Sequence, residues 1–544
     1  MLSLFSYVPF CLVALKSVTA QYLPNAQALT IKEIQHLYFD AATHGFFSAI
    51  TPCTNYQDPT ANAPNNALGM QTAAEWIRTA FHDFVTADIY TETGGLDASI
   101  GFETTRAENV GPAFNDALLF FSFFYNARVS MSDLIALGVV TAVGNCGGLL
   151  IPMKTGRLDA TAAGPSGVPE PETGITATLN QFSNAGFNGG DTIALTACGH
   201  TMGGVHRNSF PQVVPASSVG PNNADGRVAF DETVAAFDIG TVNDYVHGTG
   251  AKGGPLVTTT NVTVQSDLRL YSSDNNATIK QLAQSSSYFE GQCQGVMQRM
   301  IETIPCCTPL SAPVDPTTTT NLQPAALYLS VNWKGTMTLS GFMRYIQVTG
   351  AAAPPASLIV TLINRAGKTT TTTATATKSS SDTGTGLWGP TRSYPFTLSF
   401  PATVGLSGIS VSGQTFQLQD TMFVVPGMSN FSPTPPTFST TSNLNTVSTY
   451  TVNMTVAYLT TAPPASLTAT FSIPVPQTGT VSPTIDTSTT ATLKKIGTTG
   501  PFVFYSAIIS KSLSAKQVYG TSVDVAAPGQ AAGVMFFKPF NPAA

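Results

Sequence analysis

The chain has 544 residues, too many for one hydrophobic core, so two or three domains are expected. Charged side chains make up 10% of it, against about 25% in ordinary globular proteins, and the net charge is −6. That balance, with no basic patch, argues against a nucleic-acid partner, while abundant Thr, Ser, Asn, Gly and Pro fit a secreted protein.

The elements follow in chain order. Leu2 to Leu15 is a short apolar run, and Val18-Thr19-Ala20 is a small-residue cleavage site, so residues 1–20 read as a signal peptide. The run is too short to span a bilayer, and the C-terminus has no apolar tail for a lipid anchor. Cys11 leaves with the signal. Cys53, Cys146, Cys198, Cys293, Cys306 and Cys307 remain, which favours three disulfides and leaves the pairing open. Sequons at Asn261, Asn276, Asn430 and Asn453 fit an extracellular glycoprotein.

Apolar periodicity near 3.6 predicts helices over 71–84, 113–126, 131–143, 176–186, 191–203 and 288–303, so 21–308 reads as an all-α domain. From Pro309 the character changes. Residues 309–324, with the Thr317–Thr320 run, read as a linker. Leu327, Leu329, Val331 and Trp333 then alternate with polar residues, and strands are predicted again at 358–363, 396–400, 450–458, 467–473 and 502–509. The Thr/Ser-rich stretch 368–385 is expected to be a loop. Ala353-Pro-Pro-Ala-Ser-Leu358 returns as Ala462-Pro-Pro-Ala-Ser-Leu467, before an apolar β run each time. Residues 325–433 and 434–544 therefore read as two tandem β-sandwich modules of immunoglobulin-like size.

The chemistry lies in the helical part. In Glu75-Trp-Ile-Arg78-Thr-Ala-Phe81-His82-Asp83, Arg78 and His82 are four apart and share a helix face. Gly95-Leu-Asp97-Ala-Ser99, with Asp83, supplies hard oxygen donors suited to Ca²⁺. Glu103 precedes Asn109-Val-Gly111. Ser132-Asp-Leu-Ile-Ala-Leu137 and Gly156-Arg-Leu-Asp159 follow. Then come Asp191-Thr-Ile-Ala-Leu-Thr-Ala-Cys-Gly-His200-Thr201-Met-Gly-Gly and the set Asp231, Thr233, Ala236 and Asp238. Val-Gln-Ser-Asp267-Leu-Arg-Leu comes last.

In this order the motifs resemble the plant/fungal/bacterial haem peroxidase superfamily, and secreted fungal class II enzymes in particular, over about residues 45–305. The resemblance implies one haem b and two Ca²⁺ ions. It makes His82 the acid–base group for H₂O₂, assisted by Arg78 and Phe81, with Asn109 accepting the His82 Nδ1 proton. It makes His200 the axial haem ligand, backed by Asp267, with Phe230 where intracellular peroxidases carry a radical-forming Trp. Asp83, Gly95, Asp97 and Ser99 match the distal calcium site, and Thr201, Asp231, Thr233, the Ala236 carbonyl and Asp238 the proximal one. The segments around Ser132 and Gly156 match framework.

Departures narrow the activity. The positions of the manganese site are Gln71, Glu75 and His206, so one carboxylate of three survives and Mn²⁺ oxidation is not expected. Leu195 aligns with the surface Trp of lignin-attacking enzymes. The implied activity is one-electron oxidation of small phenolic or aromatic reductants. The β modules are expected to play no part in peroxide chemistry and to place the enzyme, with cell-wall polysaccharide as a candidate partner. The rival reading is a wall-associated adhesive protein that keeps a catalytically weak peroxidase scaffold. A Cys/His metal site built from Cys198, His200, Cys306 and Cys307 is disfavoured, because it lacks paired C-x-x-C spacing.

Overall fold

The computed structural model describes residues 26–39, 46–54, 69–221, 223–234, 236–305, 309–379, 383–432 and 447–539. The expected signal segment, Cys306 and Cys307 lie outside them. An all-α domain comes first and an all-β region of several sheets follows.

The helical domain runs α1 (Ala26–Phe39), α2 (Thr72–Phe84), α3 (Ala113–Phe121), α4 (Met131–Asn145), α5 (Ile175–Asn184), α6 (Gly189–Gly199), α7 (Gly240–His247), α8 (Ser266–Tyr271), α9 (Ala277–Leu282) and α10 (Ser286–Glu302). Helix α2 buries its apolar side. Trp76 packs 5.4, 5.3 and 5.1 Å from the rings of Phe46, Phe120 and Phe121. Helix α4 begins where the Ser130 hydroxyl accepts from the Asp133 amide. Asp159 caps the same end from outside, accepting from the Met131 and Ser132 amides at 2.8 Å each. Asp133 and Arg157 form a buried ion pair at 2.8 Å, and Arg157 also donates to the Ile301 carbonyl at the end of α10. Each charge keeps several hydrogen bonds, the condition under which a buried pair is tolerated.

Helix α6 differs from its sequence prediction. It begins earlier, where Asn188 and Asp191 form a capping box, and ends at Gly199. His200 is its C-cap, and Gly203 at φ +80° turns the chain into a short strand, β1 (Gly204–His206). β1 pairs antiparallel with β2 (Arg227–Ala229). A Cβ at residue 204 would lie 2.4 Å from the Val228 carbonyl oxygen, so this close pairing requires glycine.

Disulfides join Cys53 to Cys146 and Cys198 to Cys293. The second ties the last turn of α6 to α10. Cys306 and Cys307, the other two of the six, lie outside the described residues.

The β region opens with two facing four-stranded sheets. One is ordered β3 (Leu322–Val331), β4 (Thr336–Ile346), β8 (Gly389–Pro401), β7 (Thr383–Gly386); the other β10 (Gln414–Gln417), β9 (Gly408–Val411), β5 (Ser357–Ile363), β6 (Thr369–Thr377). Met337, Leu339, Leu398, Val360, Leu362 and Ile409 fill the space between them. Strands β6 and β7 occupy the stretch expected to be a loop. Threonine is β-branched and suits a half-exposed pleat, which outweighed its polar composition.

A nine-stranded sheet follows. Its path is β11 (Met422–Val424), β13 (Val447–Leu459), β17 (Phe502–Ser514), β16 (Thr490–Thr499), β14 (Ser466–Val475), β18 (Ser522–Ala526), β19 (Ala532–Phe537), with β12 (Asn430–Ser432) on β13 and β15 (Thr484–Asp486) on β14. The sheet curls until its end strands meet, so that a Cβ at residue 533 would lie 2.8 Å from the Met422 side chain.

The sequence repeat is also a structural one. The copies of Ala-Pro-Pro-Ala-Ser-Leu lead into β5 and β14. In each, the second proline carbonyl accepts from a buried tyrosine: Tyr394 to Pro355 at 2.7 Å and Tyr505 to Pro464 at 2.8 Å.

The β region is packed onto the helical domain. Segment 309–321 runs along it, with the Ser311 amide donating to the Thr155 carbonyl and the Val314 amide to the Met153 carbonyl. Val314, Ile346 and Val348 belong to the helical core, and Trp388 meets Tyr38 edge-on at 5.9 Å. The Val481 amide donates to the Gly101 carbonyl beside Ser99. Arg128 pairs with Asp524 at 3.5 Å, and Lys538 with Glu33. Cutting the chain after Thr308 would bare the apolar side chains that these strands cover. The truncated domain is expected to fold with a lower melting temperature and to bind a dye for exposed apolar surface, measured against the full chain. Equal melting would make the interface energetically neutral.

Candidate active site

Arg78 and His82 of α2 and His200 beyond α6 all line one cavity of about 270 Å³. The remaining wall is largely apolar, with Ile77, Leu195, Met202, Leu256, Leu270 and Met297 among its residues.

His82 Nδ1 lies 2.8 Å from Asn109 Oδ1, and Asn109 Nδ2 donates to the Glu103 carbonyl at 2.9 Å. The second bond orients the amide, so Oδ1 must accept and Nδ1 must carry the proton. Nε2 keeps its lone pair. Burial, then the nearby Arg78 charge, holds the imidazole pKa well below its ordinary value, with the Asn109 bond opposing. His82 is thus a neutral base at neutral pH. Arg78 donates to the Val110 carbonyl at 2.9 Å, and its guanidinium lies 4.6 Å over the Phe114 ring. Burial lowers its pKa to about 10, which leaves it charged. Phe81 meets His82 edge-on at 5.8 Å.

His200 Nδ1 lies 2.7 Å from Asp267 Oδ2, and Phe230 stacks on the imidazole at 4.1 Å, nearly parallel. The carboxylate draws the proton to Nδ1, which leaves Nε2 free as a metal ligand. The lining supplies what an apolar macrocycle with a metal at its centre needs: a histidine nitrogen donor, a base and a cation, with apolar side chains around them. These residues fit haem.

The oxygen-donor sets are gathered as well. Asp83 accepts from the Ile100 amide at 2.9 Å and the Ala98 amide at 2.8 Å, and the Ser99 hydroxyl is 3.4 Å from it. Asp97 accepts from the Ser99 amide at 3.0 Å. Gly95 sits at φ +110°, and a Cβ there would lie 2.8 Å from the Thr303 carbonyl. Burial, then the Asp97 charge, raises the Asp83 pKa well above the usual range. On the other side, the Thr201 hydroxyl donates to the Asp238 carbonyl at 2.7 Å and lies 3.3 Å from Asp231. Thr233 donates to Asp238 at 3.0 Å, and the Ala236 amide bonds the Thr233 carbonyl at 2.9 Å. Among the described residues no three His, Cys, Asp or Glu side chains converge. Each set has two carboxylates, and hydroxyls and carbonyls supply the remaining oxygens.

Other residues have clear places. Gln71 is a structural staple: it donates to the Cys53 carbonyl at 2.8 Å and the Val234 carbonyl at 2.9 Å, and accepts from the Gly203 amide at 3.0 Å. His206 pairs with Asp225 at 2.5 Å. Leu195 is a buried wall residue, so this position is not a surface one here. Cys198 is in a disulfide and offers no thiolate to a metal.

Two cavity residues, Arg269 and Glu170, escaped the sequence reading, as did Phe114, whose ring lies under the Arg78 guanidinium. Arg269 donates to the Pro171 and Thr173 carbonyls at 2.6 and 3.2 Å and clamps that segment at the rim. Glu170, between Pro169 and Pro171, lines the cavity. The two prolines mark an extended segment, but nothing local shows that it reaches the site.

Residues 60–286 match the family model described as peroxidase, and this part of the chain is a peroxidase domain of the plant/fungal/bacterial peroxidase superfamily. A WSC domain-containing protein of Arthroderma benhamiae is 38% identical over 400 residues, which cover 71% of this chain and 52% of that protein. L-ascorbate peroxidase 5, peroxisomal, of Arabidopsis thaliana is 37% identical over 133 residues, 24% of this chain and 47% of that one. Cytochrome c peroxidase, mitochondrial, of Yarrowia lipolytica is 39% identical over 84 residues, 15% and 24% of the two chains. The chain spans about half the length of the first two relatives and less of the third.

Burial, then the Glu172 charge, raises the Glu170 pKa to about 7. The carboxyl is neutral below that pH and anionic above it. Cationic reductants should therefore gain over neutral ones as pH rises through about 7, seen as a falling KM. In Glu170→Gln that dependence should be flat. An unchanged pH profile would remove Glu170 from the substrate path.

Proposed function

We propose that the protein is a secreted haem peroxidase that uses H₂O₂ to oxidise small phenolic or aromatic reductants one electron at a time. The observation that carries the reading is the pair of histidines lining one cavity, each with its Nδ1 proton committed to a buried acceptor. Haem b held by His200 would supply the redox chemistry of peroxide reduction and the return to rest in single-electron steps. The protein's own groups do the rest. His82 Nε2 takes a proton from the peroxide oxygen that binds and returns it to the oxygen that leaves. The Arg78 cation stabilises charge developing on the departing oxygen. Asn109 and Asp267 hold the two imidazoles in the required tautomers. The apolar wall limits water near the reacting oxygens.

The signal segment at residues 1–20 and the two disulfides support secretion. The match to the WSC domain-containing protein covers more of this chain than the helical part holds, so the likeness reaches the β region. We read that region as placing the enzyme, with polysaccharide as a candidate partner, and as bracing the domain on which it packs.

His82→Ala should bind haem with an unaltered resting spectrum and consume peroxide about 10²–10⁴-fold more slowly. A near-normal rate in stopped-flow mixing would reject His82 as the acid–base group. His200→Ala should lose the histidine-ligated spectrum, with partial return on adding imidazole.

We assign Ca²⁺ to both oxygen-donor sets, because each gathers two carboxyls that a dication would neutralise, Asp83 and Asp97 both buried and Asp231 buried beside a half-buried Asp238. Burial raises the Asp231 pKa from its ordinary value near 3.8 to about 6. The native state thus binds this proton more tightly than the unfolded chain does. Without a cation, the contribution to stability is full below about 3.8 and is lost as pH rises through about 6. EDTA-treated protein should therefore melt at a falling temperature across that window, and added Ca²⁺ should restore it. Melting unaffected by EDTA and Ca²⁺ would reject both sites.

A further inference from the structure

Behind the proximal histidine lies a group the mechanism above does not use. Tyr271 ends α8, one turn after Asp267, so both project from one face of that helix. Its side chain is fully buried, and its hydroxyl has no hydrogen-bond partner in the structure. The ring is held edge-on against Tyr245 at 5.1 Å, and the Tyr245 hydroxyl is itself committed to Asn276 at 2.6 Å.

Asp267 is the carboxylate beside it. Oδ2 takes the His200 Nδ1 proton at 2.7 Å, and Oδ1 takes the Ser266 hydroxyl at 3.1 Å. A carboxylate has about four acceptor sites, so room remains for another donor. The phenol stands beside Asp267, close enough for the carboxylate to act on it by charge and as a hydrogen-bond acceptor, although no well-formed bond joins them. Burial raises its pKa well above the usual value, and the Asp267 charge raises it further. It therefore stays protonated and is available only as a donor. A buried, unpaired hydroxyl beside a buried carboxylate is an arrangement that closes by a small side-chain movement.

We propose that Tyr271 is a positioning residue for the axial ligand: its hydroxyl is the further donor to Asp267 and limits how far that carboxylate draws the proton from His200. A carboxylate that receives one more hydrogen bond is a weaker acceptor for Nδ1–H. His200 then keeps less imidazolate character and stabilises the oxidised metal less. The inference rests on His200 as haem ligand.

The test uses the full-length, haem-loaded protein and Tyr271→Phe, which removes one oxygen and keeps the ring against Tyr245. The first readout is the resting and reduced spectrum of the wild type. If histidine ligation is absent there, the functional reading fails and this inference with it. With ligation present, resonance Raman of the reduced protein and the midpoint potential decide. Tyr271→Phe should move the iron–histidine stretch to higher frequency and the potential downward. Asp267→Asn should move both the other way, and adding Tyr271→Phe to Asp267→Asn should change neither. A stretch and potential in Tyr271→Phe equal to the wild type would overturn the proposal. So would an equal shift in the presence and absence of the Asp267 carboxylate, since that is what altered packing alone would give.

Discussion

The structure depends on one constraint: each of two histidines must commit its Nδ1 proton to a buried acceptor so that its Nε2 faces a shared cavity. Asn109 does this for His82 and Asp267 for His200. Neither acceptor lies on the helix of its histidine. The 3₁₀ turn that carries Asn109 and the short α8 that carries Asp267 must both be held against their partners. A cavity lined by both imidazoles is therefore a product of the whole domain.

The framework that meets this demand is polar as well as apolar. Asp133 and Arg157 are buried together, and through Ile301 they join α4 to the end of α10. The Cys198–Cys293 bond joins α10 to the last turn of α6, two residues before His200. Helices α4 and α6 are thus both tied to one long helix, and α2, which carries His82, packs on α4. Removing a single partner of the buried ion pair would strand a charge in a dry interior, which is far costlier than losing an exposed pair.

The β region stands in a different relation to the site than a tethered spacer would. Its strands complete the helical core near Tyr38, and its 480–482 turn sits on the loop of Gly101, next to Ser99 of the distal oxygen-donor set. The surface between the two regions is mixed. Apolar contact gives it area, and the pairs Arg128–Asp524 and Lys538–Glu33 set its register.

The sequence by itself determined the order and type of most elements, the change from helix to strand near residue 309, and the repeat that begins β5 and β14. These are local properties: periodicity, capping side chains and turn residues act over a few positions. It also marked Arg78, His82, Asn109, His200 and Asp267 as one set, because their spacing matches a family pattern. Tertiary structure alone decided the rest. The cysteine pairing depends on which helices meet. The Thr-rich stretch became strands because neighbouring strands satisfied its backbone. Helix α6 stopped at Gly199 because Gly203 and Gly204 let the chain turn and pair closely with β2. Glu170, Arg269 and Tyr271 came to the site from segments with no chemical signature of their own. Such neighbours are set by packing between distant parts of the chain, which no short window of sequence contains.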